Sequence, residues 1–360
     1  MGLSNGKQDD TSSPWPDLPP ELAGVILCRL LSHTDRLSLM SVCRPWRLAG
    51  QQHHPLPPAL PWLRLQDRFF QSLPGGELRL LNDSSSPRYL DCFDNWLFIA
   101  RFNDDASGTR FLINPSTGRT IRVPELRFRS GCTSARKMIV CSPDGLVAAS
   151  SYDSSEAAFY RPGDVAWSVH PSTSRTLRLG RYADMAFHRG KLYVLTIKEE
   201  LLVHGVGAAA ATGVSRACHV EHVVKGRLDQ VATRLYLVAS CGRLLMVKIT
   251  RCIGYSGVDQ ASCDKFVEEV VSLKVFEADL VMGRWLEVKA LDCGQALFVG
   301  RGGSSAVTLT GHDDIFQGNR VYFTGDDLAL CLPLGKDVPS YGFYDLSSGT
   351  FGQSLFGGLR

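Results

Sequence analysis

The spacing of hydrophobic positions changes along the chain near residue 75. Before that point apolar residues recur three and four positions apart, as in Leu22, Val25, Ile26 and Leu30. This spacing places them on one face of an α-helix. After it, apolar and polar residues alternate in short runs, which is typical of β-strands. The sequence therefore predicts a small all-α segment followed by a large all-β domain.

The helical segment is predicted to contain three short helices. Pro19 and Pro20 suit the first turn of the first helix, because proline lacks the N–H that the first turn leaves unbonded. Thr34 or Asp35 is the expected cap of a second helix. Pro45 interrupts that helix and is expected to open a third one.

The β-domain is marked by seven runs rich in β-branched and aromatic residues. Clusters of Gly, Pro, Asn, Asp and Ser separate them, and no long helical pattern lies between them. Parallel pairing would need longer crossovers, so the strands are expected to pair mostly antiparallel. The runs are residues 96–99, 138–140, 191–197, 235–238, 244–249, 296–299 and 320–324.

A repeated turn narrows the choice of architectures for the β-domain. Residues 114–118, 279–283 and 345–349 each begin with Asn or Asp and have Gly four positions later. This pattern is typical of a hairpin turn. With the strands between them, these turns suggest units of roughly 45 to 65 residues, the size of a propeller blade. The sequence predicts a β-propeller of five or six blades, and two stacked sandwiches are the alternative.

The predicted boundaries divide the chain into four parts. Residues 1–14 are polar and are expected to be disordered. Residues 15–50 form the helical segment, and the prolines of residues 51–74 predict a linker. Residues 75–360 form the propeller-like domain, which is expected to fold independently of the helices.

Composition excludes several function classes. A net charge of +3 over 360 residues, with no run of five Lys or Arg, indicates neither nucleic-acid nor membrane binding. The 11 cysteines are irregularly spaced and are interpreted as mostly buried free thiols. The first 13 residues contain no apolar stretch of the kind found in a secretion signal. A cytoplasmic or nuclear location, or both, is therefore expected.

No set of residues predicts catalysis, a metal or a cofactor. His219 and His222 are interpreted as exposed histidines. The glycines of residues 300–303 precede a strand rather than a helix, which favours a tight hairpin over a phosphate loop. The carboxylate pairs at 104–105, 313–314 and 326–327 are interpreted as solvated turns. Trp167 and Trp285 are either partner anchors or core residues. The protein is therefore expected not to be an enzyme.

Residues 15–49 resemble the F-box. The resemblance rests on the Leu18-Pro19 opening, the apolar helix face that follows it, and the closing sequence Val-Cys-Arg-Pro-Trp-Arg at residues 42–47. Pro45 is a departure from the family pattern. The resemblance implies binding to a Skp-type adaptor through Leu18, Pro19, Leu22, Ile26, Leu30, Leu37, Val42, Cys43 and Trp46.

The remaining chain resembles plant F-box proteins whose C-terminal region is a kelch-like domain of unknown function. The resemblance rests on residues 112–119, 142–145, 161–167, 236–247, 285–289 and 318–326. It implies a subunit of a Skp-cullin-F-box ubiquitin ligase. The Skp-type adaptor would connect it to the cullin and RING subunits, and the β-domain would bind an unidentified target.

Two other functions remain open. The chain could be an F-box protein that acts as a binding module outside a ligase. It could also be a propeller enzyme with a helical cap, although this would need a nucleophile next to a base.

Overall fold

The fold was determined from a computed structural model of the chain. It describes residues 18–52, 56–66, 69–73, 78–80, 88–93, 96–102, 108–114, 118–133, 135–142, 144–151, 155–171, 181–204, 220–226, 234–258, 265–292, 294–300, 302–309, 316–324 and 341–353. The predicted disordered start, the three carboxylate pairs and His219 lie outside these residues.

Three helices form the N-terminal part, as predicted. They are α1 (Pro20–Arg29), α2 (His33–Val42) and α3 (Arg44–Gln52). The predicted cap of α2 is wrong, because the Ser32 hydroxyl accepts the hydrogen bond from the Asp35 backbone N–H at 3.3 Å. A serine three residues before an N–H is well placed to cap it, and Asp35 then adds negative charge to the first turn. Pro45 lies in the first turn of α3, where its missing N–H costs no hydrogen bond.

All remaining regular structure of the described residues is β-strand, and each of the seven predicted runs falls within or overlaps a strand. The strands are β1 (Trp62–Gln66), β2 (Phe69–Ser72), β3 (Leu78–Leu80), β4 (Arg88–Phe93), β5 (Trp96–Phe102), β6 (Gly108–Ile113), β7 (Thr120–Val123), β8 (Ala135–Val140), β9 (Val147–Ser151), β10 (Glu156–Tyr160), β11 (Ser168–Pro171), β12 (Tyr182–His188), β13 (Lys191–Thr196), β14 (Leu201–His204), β15 (Val220–Val224), β16 (Arg234–Ser240), β17 (Arg243–Val258), β18 (Lys265–Asp279), β19 (Arg284–Val288), β20 (Gln295–Gly300), β21 (Gly303–Thr308), β22 (Arg320–Thr324), β23 (Tyr341–Asp345) and β24 (Thr350–Gln353).

The strands form a five-bladed propeller and one additional sheet. Blades 1 to 4 are antiparallel sheets of four consecutive strands, β4–β7, β8–β11, β12–β15 and β16–β19. Blade 5 has the order β21-β20-β22-β23-β24, with β20 and β22 parallel. The additional sheet contains β1, β2 and β3. The propeller prediction is confirmed with five blades.

Apolar side chains from neighbouring blades form the core. Separate clusters lie between blades 1 and 2, 2 and 3, 3 and 4, and 4 and 5. Both faces of blades 2, 3 and 4 are therefore buried, which explains why β9, β10 and β14 are buried along their whole length. A strand buried on both faces needs no alternation of apolar and polar residues.

The stretch predicted as a proline linker differs from the structure. Residues 56–61 are irregular, but β1 begins at Trp62 and β2 ends at Ser72, both inside the predicted range of 51–74. Leu60 and Leu73 are buried in one cluster with Phe298 and Tyr322 of blade 5. The prolines end before Trp62, and the alternating sequence that follows favours a strand.

The predicted hairpin turns are confirmed. The N–H of Gly118, Gly283 and Gly349 donates to the backbone oxygen of the residue four positions earlier, at 2.8 to 2.9 Å. Each of these glycines has a φ between 65° and 69°, a conformation that costs other residues free energy. The three turns join the third and fourth strands of blade 1, the third and fourth strands of blade 4, and β23 to β24.

Candidate functional site

The outward face of α1 is more apolar than a surface helix requires. The residues that α1 buries are Ala23, Gly24 and Leu27. Leu22 and Val25 lie on the opposite side and remain 51% and 45% exposed. Because 100° separates successive helical residues, Leu22 and Val25 share a face that Leu27 does not. The helix therefore directs two large apolar side chains into solvent.

The interior of the helical segment is filled largely by α3. Trp46 and Ala49 of α3 pack against Ala23 of α1 in one buried cluster. A Cβ at Gly50 would lie 2.8 Å from Met40 Sδ and 3.0 Å from Leu27 Cδ2, so a larger residue there would push these side chains aside. The small residues Ala23, Ala49 and Gly50 thus allow the three helices to approach closely.

The nine residues predicted to bind an adaptor occupy different environments. Pro19, Leu22 and Val42 are exposed, and Val42 is 64% exposed. Trp46 is buried, so its indole ring supports the helix packing. The other five are half-buried: Leu18, Ile26, Leu30, Leu37 and Cys43. Leu18 and Cys43 pack against the buried cluster that contains Trp46.

Two exposed apolar residues were missing from the predicted site. Val25 and Leu48 are each 45% exposed. Val25 follows Leu22 by three positions and belongs to the same sequence stripe, which would have identified it. Leu48 follows Trp46 in a short helix whose orientation the sequence does not reveal. We call Leu22, Val25, Val42 and Leu48 the exposed helical residues.

Arg36 connects the helices to the segment that follows them. Its Nε donates to the Leu30 carbonyl oxygen, and its Nη1 donates to the Pro57 carbonyl oxygen, both at 2.7 Å. Nearby, the Leu60 N–H donates to the Leu31 carbonyl oxygen at 2.8 Å. Burial lowers the pKa of Arg36 from its ordinary value. These bonds hold residues 57–60 against the turn between α1 and α2.

A buried ion pair joins three blades of the propeller. Lys137 Nζ of blade 2 lies 2.9 Å from Asp184 Oδ1 of blade 3, and both side chains are less than a tenth exposed. Asp184 Oδ2 accepts a hydrogen bond of 2.7 Å from the Leu237 N–H of blade 4. A buried charge requires such partners, and here they span successive blades. A second buried pair, Glu199 with Lys248, joins blades 3 and 4.

The two tryptophans that could have been partner anchors are core residues. Trp167 Nε1 donates to the Pro124 carbonyl oxygen at 2.9 Å, and Trp285 Nε1 donates to the Glu199 carbonyl oxygen at 2.7 Å. Both side chains are buried, and each reaches from the edge of its own blade to the preceding one. They fasten neighbouring blades together.

A Ser–His hydrogen bond lies on β11, the last strand of blade 2. Ser168 Oγ and His170 Nε2 are 2.8 Å apart. The Phe159 ring packs edge-on against His170, and burial lowers the pKa of this histidine. Within the described residues no carboxylate is hydrogen-bonded to His170 to orient its ring. The pair therefore lacks the third member of a hydrolytic triad in the part of the chain described.

The remaining candidates from the sequence lie in turns and strands of the propeller. Gly300 pairs with Gly303 across a tight hairpin, as predicted. His222 Nε2 lies 3.8 Å from Glu200 Oε1. The expectation of buried cysteines is wrong for most of the free cysteines described: only Cys141 is buried, Cys28, Cys43 and Cys132 are half-buried, and Cys241 is exposed at the turn between β16 and β17. Among the residues described, no group of three or more His, Cys, Asp or Glu could hold a metal ion. No helix within them is long and apolar enough to cross a membrane.

A sequence model of one propeller family covers most of the chain. The KIB1-4 beta-propeller model matches residues 68–345. The chain belongs to the KIB1-4 beta-propeller family. The match to this family begins just before β2 and ends at the last residue of β23. The three helices lie outside the part of the chain that the KIB1-4 model covers.

Several solved structures are similar to this KIB1-4 propeller at low sequence identity. One described as YCF48 bound to D1 peptide is 12% identical with a TM-score of 0.31, over 61% of this chain and 62% of that one. The structure of YjhT is 8% identical with a TM-score of 0.37, over 81% and 92%. RS223-beta-xylosidase is 11% identical with a TM-score of 0.29, over 62% and 84%. This chain therefore spans less than two thirds of the YCF48 structure. No curated protein matches the sequence.

Proposed function

We propose that this protein is the target-binding subunit of a Skp-cullin-F-box ubiquitin ligase. The helical segment docks a Skp-type adaptor, and the propeller binds the target. The observation that carries the proposal is the exposed apolar face of α1, where Leu22 and Val25 point away from the helix interior. Burying an apolar helix face in the groove of a partner protein removes it from water, which stabilises the complex.

The propeller supports the second half of the proposal. Buried ion pairs and tryptophan hydrogen bonds join blades 1 to 4, and an apolar cluster joins blades 4 and 5, so the propeller is a stiff support for exposed turns. Binding residues commonly lie on loops that a rigid scaffold positions. Arg36 adds a fixed connection between the helices and residues 57–60, so an adaptor on the helices would lie at a defined position relative to blade 5.

The adaptor interface can be tested with the double substitution Leu22→Asp and Val25→Asp. Leu22 is the third residue of α1, where a carboxylate is favourable, and aspartate and valine have similar helix propensities. The helices should therefore still form. Two carboxylates facing an apolar groove should abolish recovery of a purified Skp-type adaptor in a pull-down.

The matched control places the same charges on the propeller. Val165→Asp with Ile197→Asp changes two exposed apolar residues in turns, at 96% and 46% exposure. This control should recover the adaptor as the unchanged protein does. Equal recovery by the L22D/V25D protein would show that the α1 face is not the docking surface.

A second measurement distinguishes a ligase subunit from an F-box protein that acts as a binding module outside a ligase. The unchanged protein should recover cullin and RING subunits together with the adaptor. Recovery of the adaptor alone would favour the F-box protein without a ligase.

A further inference from the structure

The hairpin that ends blade 4 carries an unusually apolar tip. Leu280, Val281 and Met282 form the turn between β18 and β19. Val281 is 93% exposed and Met282 is 67% exposed. A single exposed apolar residue is ordinary, but three consecutive ones on one projecting turn are not. We call these three residues the blade 4 tip.

The backbone of the blade 4 tip is held in one conformation. Asp279 Oδ1 accepts hydrogen bonds from the N–H groups of Val281 and Met282, at 3.2 and 3.0 Å. The Gly283 N–H closes the turn on the Asp279 carbonyl oxygen at 2.9 Å. These bonds lower the pKa of Asp279 from its ordinary value. The aspartate at the start of the turn and the glycine at its end thus fix its backbone.

Blade 5 contains the same turn with a polar tip. Asp345 Oδ1 accepts hydrogen bonds from the N–H groups of Ser347 and Ser348, at 2.9 and 3.2 Å. Gly349 closes this turn at 2.8 Å with a φ of 68°, close to the 65° of Gly283. The same backbone therefore forms with serines in the two central positions. Folding of the hairpin does not need valine and methionine there.

We propose that the blade 4 tip inserts into an apolar pocket of a partner protein, and that a carboxylate lies on the rim of that pocket. Valine and methionine side chains fill such a pocket well, and the unbranched methionine adapts to its shape. The turn is already ordered by Asp279, so little conformational entropy is lost when it binds.

The charges around the tip indicate the rim carboxylate. The Lys225 N–H donates to the Gly283 carbonyl oxygen at 3.3 Å, so this exposed lysine borders the tip. Among the described residues no carboxylate forms an ion pair with Lys225. Arg284, which follows the turn, has its Nε 3.5 Å from Asp279 Oδ2, so its charge already has a partner. One uncompensated cation beside an apolar projection is complementary to a pocket with one acidic group on its edge.

The same charges disfavour two other binding partners of the blade 4 tip, a membrane surface and a second copy of the chain. A membrane surface attracts clusters of basic residues, whereas Arg284 next to the tip already has a carboxylate partner, Asp279. A second copy bound tip to tip would bring the two Lys225 side chains together. The copies would then repel each other at the contact.

The inference rests on the proposed function only in identifying the partner as the ligase target.

The test uses Val281→Ser with Met282→Ser in the full chain. This variant has the sequence Asp-Leu-Ser-Ser-Gly at residues 279–283, identical to residues 345–349, so the turn should fold. The matched control is Val165→Ser, which removes a 96% exposed valine from a turn of blade 2.

The probe is a photoreactive benzoylphenylalanine placed at residue 282 or, as its counterpart, at residue 348. After irradiation in an extract of the source cells, residue 282 should cross-link a protein that residue 348 does not. The cross-linked protein is then purified, and its affinity is measured directly. We expect at least a tenfold weaker affinity for V281S/M282S, a smaller loss for Lys225→Gln, and unchanged affinity for V165S.

Several results would overturn the inference. These are the absence of a cross-link specific to residue 282, equal affinity of the purified protein for V281S/M282S, or a cross-link on that protein that maps outside an apolar pocket. Binding of the chain to phosphatidylserine vesicles that V281S/M282S abolishes would assign the tip to a membrane instead.

The design separates this inference from the proposed function. The V281S/M282S protein should still recover the Skp-type adaptor, and the L22D/V25D protein should still bind the cross-linked partner. If the adaptor fails to bind any variant while the tip partner binds, the ligase proposal is wrong and the tip inference stands.

Discussion

The Arg36 guanidinium donates a hydrogen bond of 2.7 Å to the carbonyl oxygen of Pro57, 21 residues further along the chain. Its Nε also donates to Leu30, so one buried side chain connects the end of α1 to the segment that leads to the propeller. Leu31 follows Leu30 and packs against the apolar cluster of blade 5, and Leu60, three residues after Pro57, belongs to that cluster. The helices are thereby fixed to blade 5 by both hydrogen bonds and apolar packing.

Replacement of Arg36 by methionine should destabilise this connection. Methionine keeps much of the apolar stem but leaves the Leu30 and Pro57 carbonyl oxygens without their donor. Loss of hydrogen bonds from a charged group typically costs about 1.5–3 kcal/mol. We expect a lower melting temperature and faster amide exchange at Ala59 and Leu60, whose N–H groups lie in this segment. Arg29→Met is the control, since Arg29 is exposed at the end of α1. Identical melting of the two variants would contradict the role assigned to Arg36.

Substitution of Asp184 by asparagine should be more costly. It leaves the buried Lys137 charge without its ionic partner and weakens the bond to the Leu237 N–H. Removal of one member of a buried ion pair commonly costs about 3–5 kcal/mol. The measurement is the free energy of unfolding in urea.

The control for Asp184 is an exposed pair of the same chemistry. Lys274 and Glu287 are 3.3 Å apart and about half exposed, so Glu287→Gln should change stability by about 0–1 kcal/mol. A second check is Lys137→Met combined with D184N, which removes the unpaired charge and should recover part of the loss. If D184N is as mild as E287Q, the pair does not hold the blades together.

Local features of this fold could be predicted from the sequence because they depend on neighbouring residues. The turn at residues 279–283 needs only an aspartate at one end and a glycine at the other, and both are visible in the sequence. The strand at Lys191–Thr196 is likewise a local run of β-favouring residues. The contact of Lys137 with Asp184 spans 47 residues and two blades, so no local pattern indicates it.

The direction of the α1 face was harder to predict than its existence. Leu22 and Ile26 are four residues apart, but so are Ala23 and Leu27, and either pair could face the interior. Burial selects Ala23 and Leu27, because α3 approaches closely through Trp46 and Ala49. Sequence spacing therefore identified a stripe but did not distinguish its inward from its outward side.

Replacement of Trp285 by phenylalanine should loosen the contact between blades 3 and 4. Phenylalanine keeps an aromatic ring but removes the N–H that donates to the Glu199 carbonyl oxygen at 2.7 Å. An unsatisfied buried acceptor costs about 1–3 kcal/mol. Trp46→Phe is the control, because the Trp46 Nε1 is buried without a hydrogen-bond partner among the described residues. A loss of unfolding free energy as small as in W46F would show that the Trp285 hydrogen bond is unimportant.

His204 should make the stability of the propeller depend on pH. This histidine is fully buried between blades 2 and 3, next to Phe159 and 3.0 Å from the Tyr182 hydroxyl, and burial lowers its pKa to about 4. Protonation would place a charge there, and no described carboxylate pairs with His204. Burial also lowers the pKa of the neighbouring His170, so both histidines act in the same direction.

The direction of this pH dependence follows from the difference in proton binding between the folded and unfolded states. An unfolded histidine titrates near pH 6.5, so between pH 6.5 and 4 the unfolded chain binds a proton that folded His204 does not. The free energy of unfolding should be highest above pH 6.5 and should fall as the pH decreases towards 4, by about 3 kcal/mol for this residue. The measurement is urea unfolding at intervals from pH 7.5 to 4.5, with His204→Gln for comparison. Glutamine does not titrate, so this variant should show a clearly smaller slope over that range, whatever its absolute stability. Equal slopes for the two proteins would mean that His204 is not the group responsible.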